Sequence, residues 1–164
     1  MHRFHHRQCI SPTHAGIHQK IHKLLKNGTS DAAQGYAVGA YKRLANTVGG
    51  IDTTPPRKVA SEMKALLAEY SASDGKTLDD LLEFHVRFER IHPFQDGNGR
   101  VRHLILFKEC LRHGIVPFII EDRLKFYYYR GLSEWPHVPS YLRDTCLTAQ
   151  DAFKKQLGFF GIAY

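Results

Sequence analysis

The residues best suited to chemistry lie together in one stretch, 92–100, which reads His-Pro-Phe-Gln-Asp-Gly-Asn-Gly-Arg. It combines an imidazole that can accept a proton near neutral pH, a carboxylate that can bind a metal ion, and a guanidinium that can bind phosphate oxygens. Two glycines, Gly97 and Gly99, lie on either side of Asn98 and allow an anion to approach the backbone closely. These residue types together are suited to handling a nucleotide phosphate.

The order of these residues indicates a role for each. Apolar-periodic segments on both sides, 78–91 and 101–111, predict a helix, a tight loop and a second helix, whose N-terminal N–H groups would form an anion cradle with Gly-Asn-Gly. Asp96 would hold Mg2+ together with phosphate oxygens, because magnesium is usually bound by one or two carboxylates plus substrate phosphates. His92 would act as a general base, and Arg100 would neutralise charge on the leaving group.

Each of these residues alone also has an ordinary structural interpretation. A single histidine is more often a surface or core residue than a base, and Asp-Gly and Asn-Gly are common turn dipeptides. Phe94, between His92 and Asp96, is expected to anchor the loop by burial. The full combination, in this order and between two predicted helices, favours the phosphate-handling interpretation.

The stretch resembles the signature of the Fic family (filamentation induced by cAMP), His-x-Phe-x-Asp/Glu-Gly-Asn-Gly-Arg-x-x-Arg, and matches its first nine positions. Further resemblance covers most of the chain, at 46–51 with Pro55-Pro56, 84–91, 107–111 and 115–120. The resemblance implies a mainly α fold, in which a Fic-like helical bundle surrounds a central motif helix and carries a small β-hairpin flap. It also implies transfer of AMP from ATP to a hydroxyl side chain of a target protein.

The family's functional residues can be carried over position by position. His92 would be the general base, Asp96 the Mg2+ ligand, and 97–99 the anion hole for the α- and β-phosphates. Arg100 would stabilise the departing pyrophosphate.

Two aromatic residues extend this nucleotide-binding set. Phe94 belongs to the motif itself, and Tyr128, in the aromatic run 126–129, resembles by a looser match a position that packs near the adenine. An aromatic stripe on a helix is often plain core, so for Tyr128 the core and the nucleotide-binding interpretations are about evenly balanced.

The flap, at about 36–54, would hold the target. An extended target segment would pair with the hairpin as an added strand, which holds the acceptor hydroxyl of Tyr, Thr or Ser in line. The residues expected to make this contact are Val48, Gly49, Gly50 and Ile51.

One residue departs from the family pattern. The final arginine of the signature is His103 here, and an arginine stands one place earlier, at Arg102. Neighbouring helical residues point about 100° apart, so Arg102 should not replace it from the same face. In the family this arginine holds the γ-phosphate. Because of this departure, two alternatives to AMP transfer from ATP stay open. The chain could be an enzyme that uses another nucleotide or phosphate-bearing donor, or an impaired nucleotide-binding or toxin-partner module.

The sequence also lacks the inhibitory signature of many relatives, Ser/Thr-x-x-x-Glu-Gly/Asn, because none of its seven glutamates is followed by glycine or asparagine. A separate antitoxin-like protein, a segment further upstream, or an absence of this control would each explain that.

Size and charge set the broad class. The 164 residues, 43% hydrophobic, predict a flexible basic tail at 1–12 and a single domain at 13–164, with the active-site loop at 92–100. A net charge of +7 suits a nucleotide or an acidic partner. No recognition helix, zinc finger or stacking motif favours nucleic acid.

Cysteine usage and hydropathy indicate a cytoplasmic protein. Three widely spaced cysteines match neither a disulfide framework nor a zinc pattern, and no run of 18 apolar residues predicts a membrane span.

The remaining sequence predicts the elements that position the motif, from apolar periodicity and from capping and turn residues. The first helix carries apolar residues at helical spacing: Ile17, Ile21, Leu24 and Leu25. In chain order the expected elements are this helix, capped by Thr13 and ended by Asn27-Gly28; a hairpin within 36–51 turning at Gly49-Gly50; a helix from Pro55-Pro56 to Ser73-Asp74-Gly75; a helix capped by Thr77 with Asp80; the motif helix, ended by Gly114; an extended connector at 115–120; and helices near 121–133 and 140–157.

Overall fold

The computed structural model describes residues 16–33, 35 and 37–163. The helices are α1 Ile17–Lys26, α2 Ser30–Ala33, α3 Pro56–Ser71, α4 Leu78–Ile91, α5 Asn98–Arg112, α6 Lys125–Glu134, which follows a 3-10 turn at Asp122–Leu124, and α7 Ser140–Phe159. Two short strands, β1 Thr47–Val48 and β2 Ile51–Asp52, form one antiparallel hairpin. The predicted mainly α bundle with a small hairpin is confirmed, whereas the predicted tail at 1–12 and the cap at Thr13 lie outside the described residues.

Helices α4 and α5 share the centre of the bundle, and the motif loop connects them. Their inward faces bury Leu82, Val86 and Phe88 from α4 and Val101 and Ile105 from α5. Helices α3 and α7 pack against α4, and α6 packs against α7. The helix pair that carries the motif is therefore held by packing on several sides.

Local signals define both ends of α4. At its start, Asp80 N–H donates to Thr77 Oγ1 (3.3 Å) and Thr77 N–H donates to Asp80 Oδ2 (2.8 Å), which is the predicted capping box. At its end, His92 N–H donates to Phe88 O at 2.9 Å while the His92 backbone turns left-handed. Because α4 ends there, His92 stands at the first position of the loop.

Helices α6 and α7 approach each other closely at Gly131. A Cβ atom at Gly131 would lie 2.6 Å from Leu142 Cα and 2.7 Å from Leu142 N. Real Cβ atoms do not come so close to backbone atoms, so this crossing requires a residue without a side chain. None of the helices in the described part of the chain is both long and apolar enough to cross a bilayer.

The hairpin is shorter than predicted. Val48 pairs with Ile51 and Thr47 with Asp52, and both turn glycines have positive φ (57° at Gly49 and 79° at Gly50). Positive φ at both central residues is the requirement of the two-residue turn that suits a hairpin. The turn prediction is confirmed, but the described residues of 37–46 form no strand. Two of their backbone N–H groups donate to the motif loop, Lys42 to Pro93 O and Leu44 to Gln95 Oε1.

The fully buried residues of helix α1 are polar, whereas of its apolar residues Ile21 is only partly buried against the core. Leu24 is 82% exposed, while the buried residues of α1 are His18, His22 and Lys26, spaced four apart on one face. These polar side chains are buried because they find hydrogen-bond partners in the motif loop and in the segment before the flap.

Candidate active site

His92 lies at the junction of α4 and the motif loop. Its φ of 49° is the one positive φ at a non-glycine position within the described ranges. A left-handed backbone at such a residue costs about 1–2 kcal/mol, so the surrounding structure must impose it. The side chain is 16% exposed, and its Nδ1 lies 3.5 Å from Oε2 of Glu89, one turn earlier on α4.

Glu89 lies between His92 and Arg102. Its Oε2 is 2.9 Å from Arg102 Nη1, and the side chains of Glu89 and Arg102 are 14% and 4% exposed. Burial raises the pKa of Glu89, but His92 and Arg102 together outweigh this, so its pKa is lowered and the carboxylate stays ionised. The Arg102 guanidinium also stands over the Tyr128 ring at 5.5 Å. Arg102 therefore faces the core, and that it does not replace the missing arginine stays a prediction.

Glu89 was not among the residues that the sequence predicted for the site. Its spacing of three from His92 on a predicted helix was an available signal, because such residues are neighbours on the helix surface. The Arg102 contact crosses from α5 to α4 and has no local signal.

Phe94 and Asn98 fix the shape of the loop. The Phe94 ring is fully buried and stacks on the His22 imidazole with centroids 4.0 Å apart. Asn98 Nδ2 donates to Phe94 O, and Phe94 N–H donates to Asn98 Oδ1, both at 2.8 Å. Phe94 is thus the buried anchor that was predicted, and the prediction that it also binds the nucleotide is corrected, because its ring offers no surface to a ligand. Because Asn98 is 1% exposed and its amide is committed to the loop, its backbone N–H is the group it can offer to an anion.

The backbone N–H groups of 98–100 lie at the N-terminus of α5, where the anion cradle is predicted, and this group of N–H donors is called the cradle below. Gly97 precedes the helix with a φ of 79°, and Val101 N–H makes the first helical bond, to Gly97 O at 3.1 Å. The N–H groups before Val101 have no acceptor within the helix and carry partial positive charge. A Cβ added at Gly99 would meet no atom within 4 Å. The cradle therefore opens onto free space that an anion can enter.

Asp96 presents its carboxylate next to the cradle. The side chain is 65% exposed, and its Oδ2 accepts from Lys26 of α1 and lies 3.4 Å from Arg100 Nη2. The hydrogen bond from Lys26 is the main cause that lowers the pKa of Asp96. The carboxylate is therefore ionised at neutral pH.

The surroundings of Asp96 fit a Mg2+ ion that is held by one carboxylate and by substrate phosphates. Across residues 16–33, 35 and 37–163, no group of three or more His, Cys, Asp or Glu side chains could hold a metal ion. A single exposed carboxylate beside an open anion cradle matches the habit of Mg2+, which takes one or two carboxylates and fills its remaining positions with phosphate oxygens and water.

Helix α1 contacts the motif loop through His22. His22 Nδ1 accepts from Gly39 N–H at 2.8 Å, and its Nε2 donates to Asp96 O at 3.1 Å. These two partners require the neutral imidazole with the proton on Nε2. Burial lowers the pKa of His22, which agrees with that state. Neither His22 nor Lys26 was among the predicted site residues.

The segment before the flap is bonded to the motif loop. Lys42 N–H donates to Pro93 O at 2.8 Å, and Asn46 Nδ2 donates to Phe94 O at 3.1 Å. The buried Lys42 ammonium donates to Asn46 Oδ1 at 2.7 Å. These bonds attach the flap to the loop that carries the motif, while its tip, with Ile51 68% exposed, faces solvent.

Tyr128 belongs to the core. Its side chain is 1% exposed, and its hydroxyl lies 2.8 Å from His103 Nε2 and bonds also to His85 Nε2. The prediction that it packs near an adenine is therefore corrected to the plain-core interpretation, because its ring offers no surface to a base.

His103 takes part in the same hydrogen-bond chain. Its ring stacks on His85 with centroids 5.3 Å apart, and although the residue is exposed, its inner edge faces the core. Burial of that edge, and then the charge of Arg102, lower the pKa of His103. A neutral imidazole therefore stands where the signature has a permanent positive charge.

The loop between α4 and α5 thus carries a histidine, an exposed carboxylate and the N–H groups of a helix N-terminus. Comparison with known proteins identifies the family. The sequence profile of the Fic/DOC family matches residues 13–109, and the chain belongs to this family.

The similar curated proteins are named adenylyltransferases. The chain is 32% identical over 111 residues to protein adenylyltransferase Fic of Drosophila willistoni, covering 64% of this chain and 22% of that protein. It is 32% identical over 75 residues to a probable protein adenylyltransferase of Aquifex aeolicus, covering 44% and 23% respectively. The chain thus spans about a fifth of the length of these relatives. At the family level, these names indicate a nucleotidyltransferase.

Solved structures show the same fold. A Fic domain-containing signaling protein from Bacteroides thetaiotaomicron matches with a TM-score of 0.67 at 19% identity, over 87% of this chain and 60% of that one. A Fic family protein from Desulfovibrio desulfuricans matches with a TM-score of 0.66 at 25% identity, over 91% and 48%.

Proposed function

We propose that this chain is a Mg2+-dependent protein adenylyltransferase, which transfers AMP from ATP to a Tyr, Thr or Ser hydroxyl of a target protein. The observation that carries this proposal is the exposed Asp96 carboxylate beside the open cradle at 98–100, on the loop that begins with His92. The names of the curated relatives support the same activity.

The reaction requires a base, a phosphate site and charge for the leaving group. His92 accepts the proton of the target hydroxyl, whose oxygen bonds to the α-phosphorus as the bond to the β-phosphate oxygen breaks. The products are the AMP-modified protein, pyrophosphate and protonated His92. The cradle and Arg100 hold the phosphates and the departing pyrophosphate, and Asp96 would hold Mg2+, which supplies further positive charge when bound.

Glu89 and Arg102 act as positioning residues for His92. A carboxylate facing Nδ1 favours the tautomer with the proton on Nδ1 and leaves the Nε2 lone pair for the substrate. Arg102 keeps Glu89 ionised and in place from α5. The arrangement is that of a base oriented by a third group.

The flap holds the acceptor. A two-stranded hairpin leaves backbone groups unpaired on its outer edges, and an extended peptide can add to such an edge as a strand. Val48, Gly49, Gly50 and Ile51 are the proposed contact residues. The bonds between the preceding segment and the motif loop would keep this added strand at a fixed distance from His92.

The test is incubation of the chain and a host lysate with ATP labelled on the α-phosphate. Labelled protein is expected with native chain, and little with His92→Ala, which loses the base. ATP labelled on the γ-phosphate serves as control and should label nothing, because that phosphate leaves with pyrophosphate. Equal labelling by native protein and His92→Ala would show that His92 is not the base.

The neutral His103 favours a second candidate, transfer from another nucleotide or a phosphate-bearing donor. Without a permanent charge at this position, a γ-phosphate loses a partner, and donors that lack one lose nothing. A panel of labelled donors with native protein and His103→Arg separates the two candidates. Preference of the native protein for a donor other than ATP, with a gain in ATP use by His103→Arg, would favour the second.

An impaired nucleotide-binding or toxin-partner module is the alternative from another class. Calorimetry that finds ATP binding without turnover on any lysate would support it. Inhibition of the active enzyme by a separate antitoxin-like protein is a further proposal, since the sequence has no inhibitory Ser/Thr-x-x-x-Glu-Gly/Asn motif. The buried free thiols of Cys110 and Cys146 agree with a reducing cytoplasm.

A further inference from the structure

Lys26 places a positive charge on the carboxylate proposed to hold the metal. Its ammonium pairs with Asp96 Oδ2, and Arg100 Nη2 lies 3.4 Å from the same oxygen. The Asp96 side chain is 65% exposed, whereas that of Lys26 is 6% exposed. One carboxylate oxygen is therefore shared by a buried cation and an exposed one, and the three groups together carry one net positive charge.

The fold builds Lys26 into this position. Its Cε lies 3.4 Å from the place where a Cβ at Gly97 would stand, so its stem packs along the start of the cradle. Its carbonyl accepts from Thr29 Oγ1 at 2.8 Å. His22, one turn earlier on the same face of α1, donates to the Asp96 carbonyl. The same helix face thus contacts both the side chain and the backbone of Asp96.

The charge balance of the site depends on what binds. A divalent cation that approaches Asp96 alone meets two fixed positive charges, and the partial positive charge of the helix N-terminus adds to them. A triphosphate brings several negative charges, which compensate all of these. The empty site therefore disfavours a free divalent cation and favours one that arrives with phosphates.

We propose that Lys26 keeps divalent cations off Asp96 until nucleotide phosphates occupy the cradle, so that metal and nucleotide enter the site together. The naming of the nucleotide rests on the proposed function. The blocking of Asp96 by Lys26 rests on the contacts alone.

The test is a Mg2+ titration of the nucleotide-free chain labelled with 15N, followed by NMR through the amide signals of Gly97 and Gly99. Native protein is compared with Lys26→Met, which keeps an unbranched stem and loses the charge. Removing one unit charge a few ångströms from a divalent ion should tighten Mg2+ binding at least about fivefold.

Three matched variants make the result specific. Lys20→Met removes the same charge from an exposed position on α1 and should bind Mg2+ as native protein does. Lys26→Arg keeps the charge and should also behave like native protein. Lys26→Gln, which keeps a hydrogen-bond donor without charge, should tighten Mg2+ binding as Lys26→Met does. It replaces Lys26→Met in the comparison if the methionine variant folds poorly.

The location of the ion is tested by adding Asp96→Asn to Lys26→Met, which should abolish the gained affinity. The proposal is overturned if the uncharged Lys26 variants bind Mg2+ no more tightly than native protein. It is equally overturned if the tightening survives Asp96→Asn, because the ion would then lie elsewhere.

A second titration, with a non-hydrolysable ATP analogue present, separates this inference from the proposed function. The difference between native protein and Lys26→Met should shrink, because phosphate charges then compensate Lys26. If the AMP-transfer assay fails while the nucleotide-free result holds, adenylyl transfer is refuted and the role of Lys26 at Asp96 stands. The reverse pair of results refutes the role of Lys26 alone.

Discussion

Gly97 and Gly99 are two residues apart, but the structure needs them for different reasons. Gly97 adopts a φ of 79°, which strains any residue with a side chain, although a Cβ there would make only ordinary contacts with Lys26 Cε (3.4 Å) and His22 Cδ2 (3.6 Å). Gly99 has no such φ, and a Cβ there would meet no atom within 4 Å. The fold therefore requires the first glycine, and only a ligand in the cradle would require the second.

Gly99→Ala should separate binding from stability. Alanine is favoured over glycine in a helix by about 0.5–1 kcal/mol, so the free energy of unfolding should stay the same or rise. The new methyl group projects into the open cradle, and affinity for a non-hydrolysable ATP analogue should fall at least about tenfold. Denaturant unfolding and calorimetry measure the two quantities.

Gly97→Ala is the contrasting variant. A left-handed backbone at alanine costs about 1–2 kcal/mol, so this protein should be less stable by that amount. If Gly99→Ala binds the analogue as tightly as native protein, phosphates do not occupy the cradle at 98–100.

Glu89→Gln tests the positioning of His92. The change leaves Arg102 buried without its anion, and breaking a buried pair costs about 3–5 kcal/mol of stability. It also removes the carboxylate that faces His92 Nδ1, so kcat should fall about ten- to a hundredfold with a smaller change in KM.

The decisive measurement for Glu89→Gln is the 15N NMR tautomer of His92, which should lose its preference for Nδ1–H. Glu69→Gln, at an exposed pair with Arg87 on the surface, provides the control and should leave both kcat and the tautomer unchanged. An unaltered His92 tautomer in Glu89→Gln would limit Glu89 to a structural role.

At the scale of elements, the close crossing of α6 and α7 depends on Gly131. A methyl group there would lie 2.6 Å from Leu142 Cα, and forcing helices apart by overpacking costs about 1–3 kcal/mol. Gly131→Ala should therefore lower the free energy of unfolding by about that amount. Gly158→Ala, at a position in α7 where a Cβ meets no atom within 4 Å, should be neutral or stabilising.

Denaturant unfolding measures the free energy of unfolding of both glycine variants, provided that their m-values are equal. Equal stability of the two would mean that α6 and α7 lie further apart than described. Because the atoms that a Cβ at Gly131 would meet all belong to Leu142 of α7, its effect should appear in stability and leave ATP affinity unchanged.

For the whole molecule, histidines whose pKa is lowered by packing against the protein predict acid sensitivity. Burial lowers the pKa of four of them, to about 4 for His18. The four are His18, His22, His85 and His103. The unfolded chain takes up protons at pH values below about 6.5, where the folded protein does not, so the folded state is favoured above that pH and loses stability as the pH falls towards about 4.

His18 alone should account for at most about 3.5 kcal/mol of this loss, since each pH unit between the folded and unfolded pKa values corresponds to about 1.4 kcal/mol. Urea unfolding at a series of pH values between about 7.5 and 4 measures the free energy of unfolding across this window. His18→Gln should flatten the profile, and His137→Gln, at an exposed position, should not. A native profile that is flat over this range would contradict the prediction.

The sequence by itself determined the features that depend on neighbouring residues. The motif, the Thr77–Asp80 capping box and the Gly49-Gly50 turn are each set by contacts over a few positions, where side-chain type and backbone geometry decide the structure. The burial of Phe94 could be predicted as well, because a large apolar ring between polar residues of a loop is favoured away from water.

Only the tertiary structure decided which distant groups meet at the motif. Lys26 reaches Asp96 from 70 positions away, and Arg102 reaches Glu89 from another helix. Periodicity pointed to an apolar face on α1, yet the polar face is buried, and Tyr128 proved to be core. Such contacts follow from how helices pack and from the need to pair every buried polar group, and neither can be read from spacing along one segment.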